Sequence, residues 1–307
     1  MQTTGNRFNR LSPASNIILS AVLLILAIMT LLPLILVVII SFSSSRSIAE
    51  IGYSFFPTEW SYEAYRYLMK TGRQVLLSYR VTLLATATGT IASLFVMSMF
   101  AYVLAQRSFK PRKFLMFFTF FTMLFSGGLV PSYIVNVNYL HLYDNFLIFV
   151  LPSLVSAYNI IILRTFIRTT IPETIFEAAK IDGANDLRIF FQIVVPLFKP
   201  GLATVGLFNV VSRWNEWFTG MLYIDNPDLV PLQTMLTRIQ QNVDFIKNNA
   251  ANVGGGMSTQ LQAALKSLPS DSMRMAIAIV SVVPILFAYP FFQRYFISGL
   301  TIGSVKE

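Results

Sequence analysis

The sequence predicts an all-α, polytopic membrane protein with six transmembrane helices and a helical connector on its cytoplasmic side. Three observations carry this. Of the 307 residues, 55% are hydrophobic and only 12% are charged, whereas a soluble domain carries about 25% charged residues. Long stretches, Leu11–Ser45 and Val81–Gln106, hold no charged residue at all, and a bilayer-spanning helix needs roughly 20 such residues. The basic residues also gather between particular spans, as the positive-inside rule requires.

In chain order the expected spans are Ile17–Phe42, Leu76–Gln106, Phe114–Val137, Asn145–Phe166, Pro200–Ile224 and Met273–Phe296. All are read as helices, because an open sheet edge in lipid strands its backbone donors and acceptors. Placing both termini in the cytoplasm puts 13 of the 23 basic residues inside and seven outside. The connector Arg107–Lys113 argues most strongly, since Arg107, Lys110, Arg112 and Lys113 lie close together there. The apolar run from Ile17 to Phe42 exceeds a signal-peptide core, so it is expected to stay as a span.

Composition also excludes chemistries. The net charge of +9 comes without a basic stripe or nucleic-acid motif, so phospholipid is the expected partner, not nucleic acid. With no cysteine there is no thiolate chemistry. The single histidine, His141, sits among aromatics in an external loop and is expected to be packed or solvated. No nucleophile–base pair or metal cluster is evident, so catalytic and metal residues are both none.

Two external segments are long. Ser43–Val75 is read as interfacial, with a short helix near Ser61–Met69. In the second, Leu232, Met235, Leu236, Ile239 and Val243 recur at helical spacing, and Gly254, Gly255 and Gly256 then mark a turn. Along the second span Ala85, Gly89, Ser93, Ala101 and Ala105 form a small-residue stripe, with Met97 at the remaining step. Such a stripe permits close helix approach in lipid.

The connector between spans four and five, 171–196, is the most informative. Pro172 suits a helix start, and Glu173 places negative charge at that helix's positive end. Gly183 is placed to end it in a left-handed conformation. Asn185 or Asp186 can cap a second helix, with Leu187, Phe190, Phe191 and Val194 expected on one face. On these grounds alone an ordinary amphipathic interfacial connector explains the segment equally well.

The residues Glu177-Ala178-Ala179, then Asp182-Gly183-Ala184, then Phe191 and Pro196, resemble the EAA signature of ABC importer permeases. The tail Phe291–Lys306 and Trp214-Asn215-Glu216 are similar to carbohydrate-type permeases, and the likeness extends over nearly the whole chain to the shorter permease of maltose-type importers. Within that group it resembles the subgroup for complex, polysaccharide-derived oligosaccharides. One departure stands out: Gly220 occupies a position where that family often has proline, so the local helix path does not carry over.

The resemblance implies a single permease domain, 1–307, in the bacterial inner membrane. It implies a second permease subunit, two cytoplasmic ATPase subunits and an extracytoplasmic solute-binding protein. The coupling residues would be Glu177, Ala178, Ala179, Asp182, Gly183 and Ala184: Glu177 makes a charged contact, the alanines allow close approach and Gly183 makes the bend. ATP and magnesium would be held by the ATPase partner. This chain has no Gly-x-x-x-x-Gly-Lys-Ser/Thr loop, so it is not expected to be an enzyme.

For the substrate path, Trp214 and Trp217 offer stacking faces while Asn215 and Glu216 offer hydrogen bonds, a mixture suited to sugars. The structural alternative pairs Arg213 with Glu216 at i, i+3 and uses the tryptophans as anchors. It is preferred, and both readings stand. Two rivals to the sugar importer also remain. One is an ABC permease for peptides or another solute. The other is a secondary transporter, opposed by the scarcity of intramembrane carboxylates and by the expected absence of interrupted helix pairs.

Overall fold

A computed structural model describes residues 13–70, 72–252 and 270–303. The expectations for Arg7 and Arg10, for the Gly254–Gly256 turn and for Lys306 lie outside the described residues. The described residues form helices α1 (Pro13–Ser41), α2 (Ser45–Ile51), α3 (Glu63–Lys70), α4 (Gly72–Ala105), α5 (Arg112–Leu124) and α6 (Leu129–Ile134). There follow α7 (Ala157–Thr170), α8 (Glu173–Ile181), α9 (Asp186–Ile189), α10 (Val195–Leu197), α11 (Lys199–Trp214), α12 (Phe218–Tyr223), α13 (Leu232–Asn252) and α14 (Ser270–Gly303). Only one isolated bridge, Ser43 to Trp60, interrupts this helical character among the described residues.

Contacts divide the chain into two units, Met1–Lys70 with Asn242–Val280, and Thr71–Gln241 with Ser281–Glu307. In the first, α1 is apolar and exposed along most of its length, as befits a helix surrounded by lipid or by another membrane helix. Its end is fixed by polar groups: Ser41 and Tyr65 hydroxyls lie 2.9 Å apart, and the Phe42 and Tyr65 rings stack at 4.7 Å. Ser44 caps α2 by accepting from the Ser47 amide. Arg274 of α14 pairs with Asp244 of α13 and, at 3.6 Å, with Asp271.

In the second unit the long α4 packs against α7 and α11. The small-residue stripe, which could pack within the chain or against a partner, packs within the chain: Ser93, Met97 and Ala101 are fully buried. The core joins Met97, Ala101 and Leu104 of α4 to Ile160, Leu163 and Ile167 of α7 and to Val205 of α11. Leu232, Met235 and Leu236 of α13 are buried and Ile239 is half-buried, as the helical spacing of these residues predicts. The Leu232 amide donates to Thr82 at 2.8 Å.

The expected spans one and two are continuous helices long and apolar enough to cross a membrane. Spans three to five depart from the straight helices expected, so interrupted helices are present after all. Among the described residues at most four crossings meet the length and composition criterion, counting each bent pair as one. Span three breaks at Ser126-Gly127-Gly128 and bends by 111°, where two consecutive glycines give the helix little to hold it. Span four begins as a short 3-10 turn, Phe146–Phe149, and becomes α-helical only at Ala157. Pro152 cannot donate to a helix there, and Ser156 supplies the cap by accepting from the Asn159 amide. An 80° bend precedes span five, where Phe198 leaves the helical region before Pro200. That span stops again at Asn215-Glu216-Trp217 before α12.

Candidate functional site

The connector folds as a helix, a glycine turn and a second helix. Pro172 stands one residue before α8, and Glu173 occupies its first turn. Glu173 is 2.7 Å from Arg107, which ties α8 to the α4–α5 connector through a largely exposed pair worth roughly 0–1 kcal/mol. At the far end Gly183 has φ +78°. The Gly183 amide donates to the Lys180 carbonyl and the Ala184 amide to the Ala179 carbonyl, the two bonds of a Schellman stop. Asn185 then caps α9 by accepting from the Arg188 amide at 2.8 Å.

This unit is seated on the core of the second unit. Ala179 is buried beside Ile189, Phe190 and Val194. Tyr102 of α4 meets the rings of Phe176 and Phe190 at 6.1 and 5.6 Å. The smallness of Ala179 is therefore taken up inside the chain, and Ala178 is the exposed member of the pair. Glu177, Asp182 and Gly183 are exposed and Ala184 is half-buried.

One residue escaped the sequence reading. Ile181, a large apolar side chain, is 86% exposed. It lies four residues after Glu177, so Thr174, Glu177, Ala178 and Ile181 share one open helical face. That i, i+4 spacing was the signal that could have found it.

The apolar face expected on the second helix also needs correction. Residues 190–194 form a π-helical turn, which shifts the phase by one residue. Phe190, Val194 and Phe198 turn inward at four-residue spacing, while Leu187 and Phe191 are at least half exposed.

A second place of interest is a cavity of about 280 Å³ beside α11 and α12, with Arg213, Glu216, Asn136, Ser153 and Tyr223 among its lining residues. Arg213 does not pair with Glu216. Its guanidinium donates to the Phe149 carbonyl at 2.6 Å, to the Ser153 carbonyl at 2.8 Å and to the Ser93 hydroxyl at 2.7 Å. It lies against Gly89, where an added Cβ would come within 2.3 Å of it. The cation thus makes the shortest bonds to carbonyls of the broken fourth span, which also accept from the Ser153 and Ser93 hydroxyls at 3.3 and 3.4 Å.

Of the four residues placed on a substrate path, Glu216 alone lines this cavity. Its carboxylate accepts from the Thr219 amide at 2.9 Å and so caps α12. Trp214 is buried, with its indole N–H donated to the Ser281 carbonyl. Asn215 ends α11, its side chain donating to Val211. Trp217 is half-exposed, edge-on to Phe218 at 5.7 Å. Gly220 packs so closely on Thr234 that a Cβ would meet its hydroxyl at 2.2 Å, which accounts for glycine where proline is frequent.

Near the cavity, Asn136 donates to the Tyr223 hydroxyl at 3.2 Å. The loop before it is tied down as well: Asp144 accepts from the Asn226 amide at 2.8 Å. The Tyr143 hydroxyl donates to Asp225, which holds its pKa above the ordinary tyrosine value. His141 is exposed. No cluster of three or more potential metal ligands occurs among the described residues.

Long apolar helices, bent helix pairs, a half-buried arginine bonded to the carbonyls of an interrupted span and a helix–glycine–helix connector are features of a polytopic membrane protein. A profile described as "Binding-protein-dependent transport system inner membrane component" matches residues 66–302. The chain is 37% identical, over 92% of its length and 95% of the relative's, to the polygalacturonan/rhamnogalacturonan transport system permease protein YtcP of Bacillus subtilis. It is 35% identical to protein LplC of the same organism, over 90% of each chain. Among solved structures, it matches a chain of a bacterial ABC transporter involved in import of the acidic polysaccharide alginate, with TM-score 0.74, 31% identity and coverage of 94% and 99%. The protein belongs to the family of inner-membrane permease components of binding-protein-dependent transport systems.

Proposed function

We propose that this chain is one permease subunit of an ATP-driven importer for oligosaccharides released from acidic polysaccharides. The observation that carries the coupling part is the EAA unit, a short helix ended by left-handed Gly183 and seated on α4, with Thr174, Glu177, Ala178 and Ile181 facing outward. An exposed isoleucine beside a carboxylate is what a protein cleft with an apolar floor and a basic rim accepts. The partners are a second, non-identical permease, two cytoplasmic ATPase subunits that hold ATP and magnesium, and an extracytoplasmic solute-binding protein. Both termini lie in the cytoplasm.

When the ATPase pair closes, the docked α8 helices are drawn together. Tyr102, Phe176 and Phe190 pass that displacement to α4 as a packed block, and the spans tip between inward and outward access. The sugar assignment rests on the named relatives, two of which concern acidic polysaccharides. In the cavity, Arg213, Ser153, Asn136, Tyr223 and Glu216 are polar groups open to a passing solute, with Arg213 the one whose charge suits an acidic sugar.

Reconstitution of the complete transporter tests this. ATP hydrolysis is expected to rise severalfold with the solute-binding protein and uronate-containing oligosaccharides, and to stay basal with peptides. Stimulation by peptides alone, or uptake without ATP, overturns the reading. Ile181→Asp is expected to lower the ATPase recovered with the purified permease several-fold; unchanged stoichiometry removes Ile181 from the docking face.

A further inference from the structure

A cleft of about 540 Å³ opens between α5 and α7. Its polar end carries four cations, Arg112, Lys113, Arg164 and Arg168. None has a carboxylate partner among the described residues. Arg164 donates only to the Leu104 carbonyl at 3.3 Å, and Arg112 only to the Gln106 carbonyl at 3.4 Å. Arg112 and Arg168 stand near enough to Arg164 to repel it. The carboxylate in the adjoining cleft, Glu173, is already taken by Arg107. Packing four like charges together without a counter-ion is costly in the fold, so the cluster calls for an anion.

The rest of the cleft says which kind. Phe117, Phe120 and Ile161 line it, and Phe117 and Phe120 are about half exposed or more on an α5 surface rich in exposed phenylalanine. A free phosphate would fill only the polar end. We propose that this cleft binds an anionic phospholipid, its phosphate held by Arg112, Lys113, Arg164 and Arg168 and its acyl chain lying along Phe117, Phe120 and Ile161. Basic pockets between membrane helices suit such headgroups. The site requires only that the chain lie in a membrane; its leaflet follows from the orientation proposed above.

Arg168 also lines the neighbouring cleft beneath α8, with Phe176 and Glu173. A lipid phosphate on Arg168 therefore sits one side chain away from the connector. Bound lipid steadies the platform on which α8 rests.

The test uses the complete transporter purified in detergent. Phosphatidylglycerol is expected to co-purify, to be seen by native mass spectrometry, and to raise the thermal midpoint of the complex, whereas phosphatidylcholine and inorganic phosphate do neither. The double substitution Lys113→Gln/Arg168→Gln changes two exposed side chains, so it is expected to fold normally and to weaken phosphatidylglycerol retention at least tenfold. Arg164→Gln is expected to do the same. A photo-crosslinking phosphatidylglycerol should label α5 and α7. Equal retention by wild type and variants, protection by phosphate alone, or loss of the ATPase subunits with lipid retention unchanged would each overturn the proposal.

Discussion

Arg213→Met is expected to remove most of the permease from the membrane fraction. The substitution keeps an apolar stem but deletes the short charged bonds to the Phe149 and Ser153 carbonyls and to the Ser93 hydroxyl, leaving only the longer ones from the Ser153 and Ser93 hydroxyls to those carbonyls, at 3.3 and 3.4 Å. Phe149 and Ser93 are buried, and losing a charged bond at each costs about 1–3 kcal/mol. The two together, about 2–6 kcal/mol, overlap the low end of a typical domain's net stability of roughly 5–15 kcal/mol. Pro152 has no N–H to take the place of the guanidinium, and the hydroxyl bonds that remain are long and uncharged. Abundance by immunoblot and the thermal midpoint of the purified complex are the measurements. Gly89→Ala should reproduce the defect, since its Cβ would fall 2.3 Å from the guanidinium. Combining the two substitutions should add little further loss, as expected for residues acting through one interaction. Normal abundance of Arg213→Met would show that the fourth span is held by other means.

Gly183→Asp has the opposite signature: normal abundance and at least a tenfold loss of uptake. At φ +78° a side chain costs about 1–2 kcal/mol, and asparagine-like residues tolerate that region best. No atom lies within 4 Å of the position an added Cβ would take, so the permease itself has room. The new carboxylate instead stands on the outward face beside Asp182 and Glu177, where the ATPase is proposed to dock. Gly183→Ala should fall between, since it carries the backbone cost without the charge. Normal uptake by Gly183→Asp at normal abundance would remove the turn from the coupling pathway.

These two residues also mark what the sequence made legible. The turn at Gly183 was readable because its causes are local: proline before the helix, glycine after it and Asn185 three residues ahead of the amide it caps. Spans one and two were readable because their apolar runs are long and uncharged, and Pro33 and Gly89 lie within continuous helix. The breaks in spans three to five were not. Gly127-Gly128 and Pro152 are local marks of a break, but such residues do not decide it, because Pro33 sits inside continuous α1. What makes the second break tolerable is Arg213, about 60 residues later, and that pairing is tertiary information. The same residue misled the local reading, because Glu216 sits at ideal helical spacing from it yet turns to cap α12. The phase after Asn185 failed for a subtler cause. A π-helical turn leaves no mark in hydrophobic periodicity except a blurred stripe, which Leu187 and Phe191 supplied.

That π-helical turn sets a rule for chain length. It stores one residue beyond what an α-helix needs, and one residue is about 100° of rotation. Deleting any single position within 190–194 would let the backbone relax into a plain α-helix and turn everything after Val195 by that angle about the axis, relative to α8. Arg213 would then be swung away from Ser93 while the connector stayed docked. Insertions and deletions in this stretch are thus expected to be felt at the far end of span five, and the distance from Gly183 to Arg213 would act as a fixed gear ratio between the proposed coupling face and the cavity.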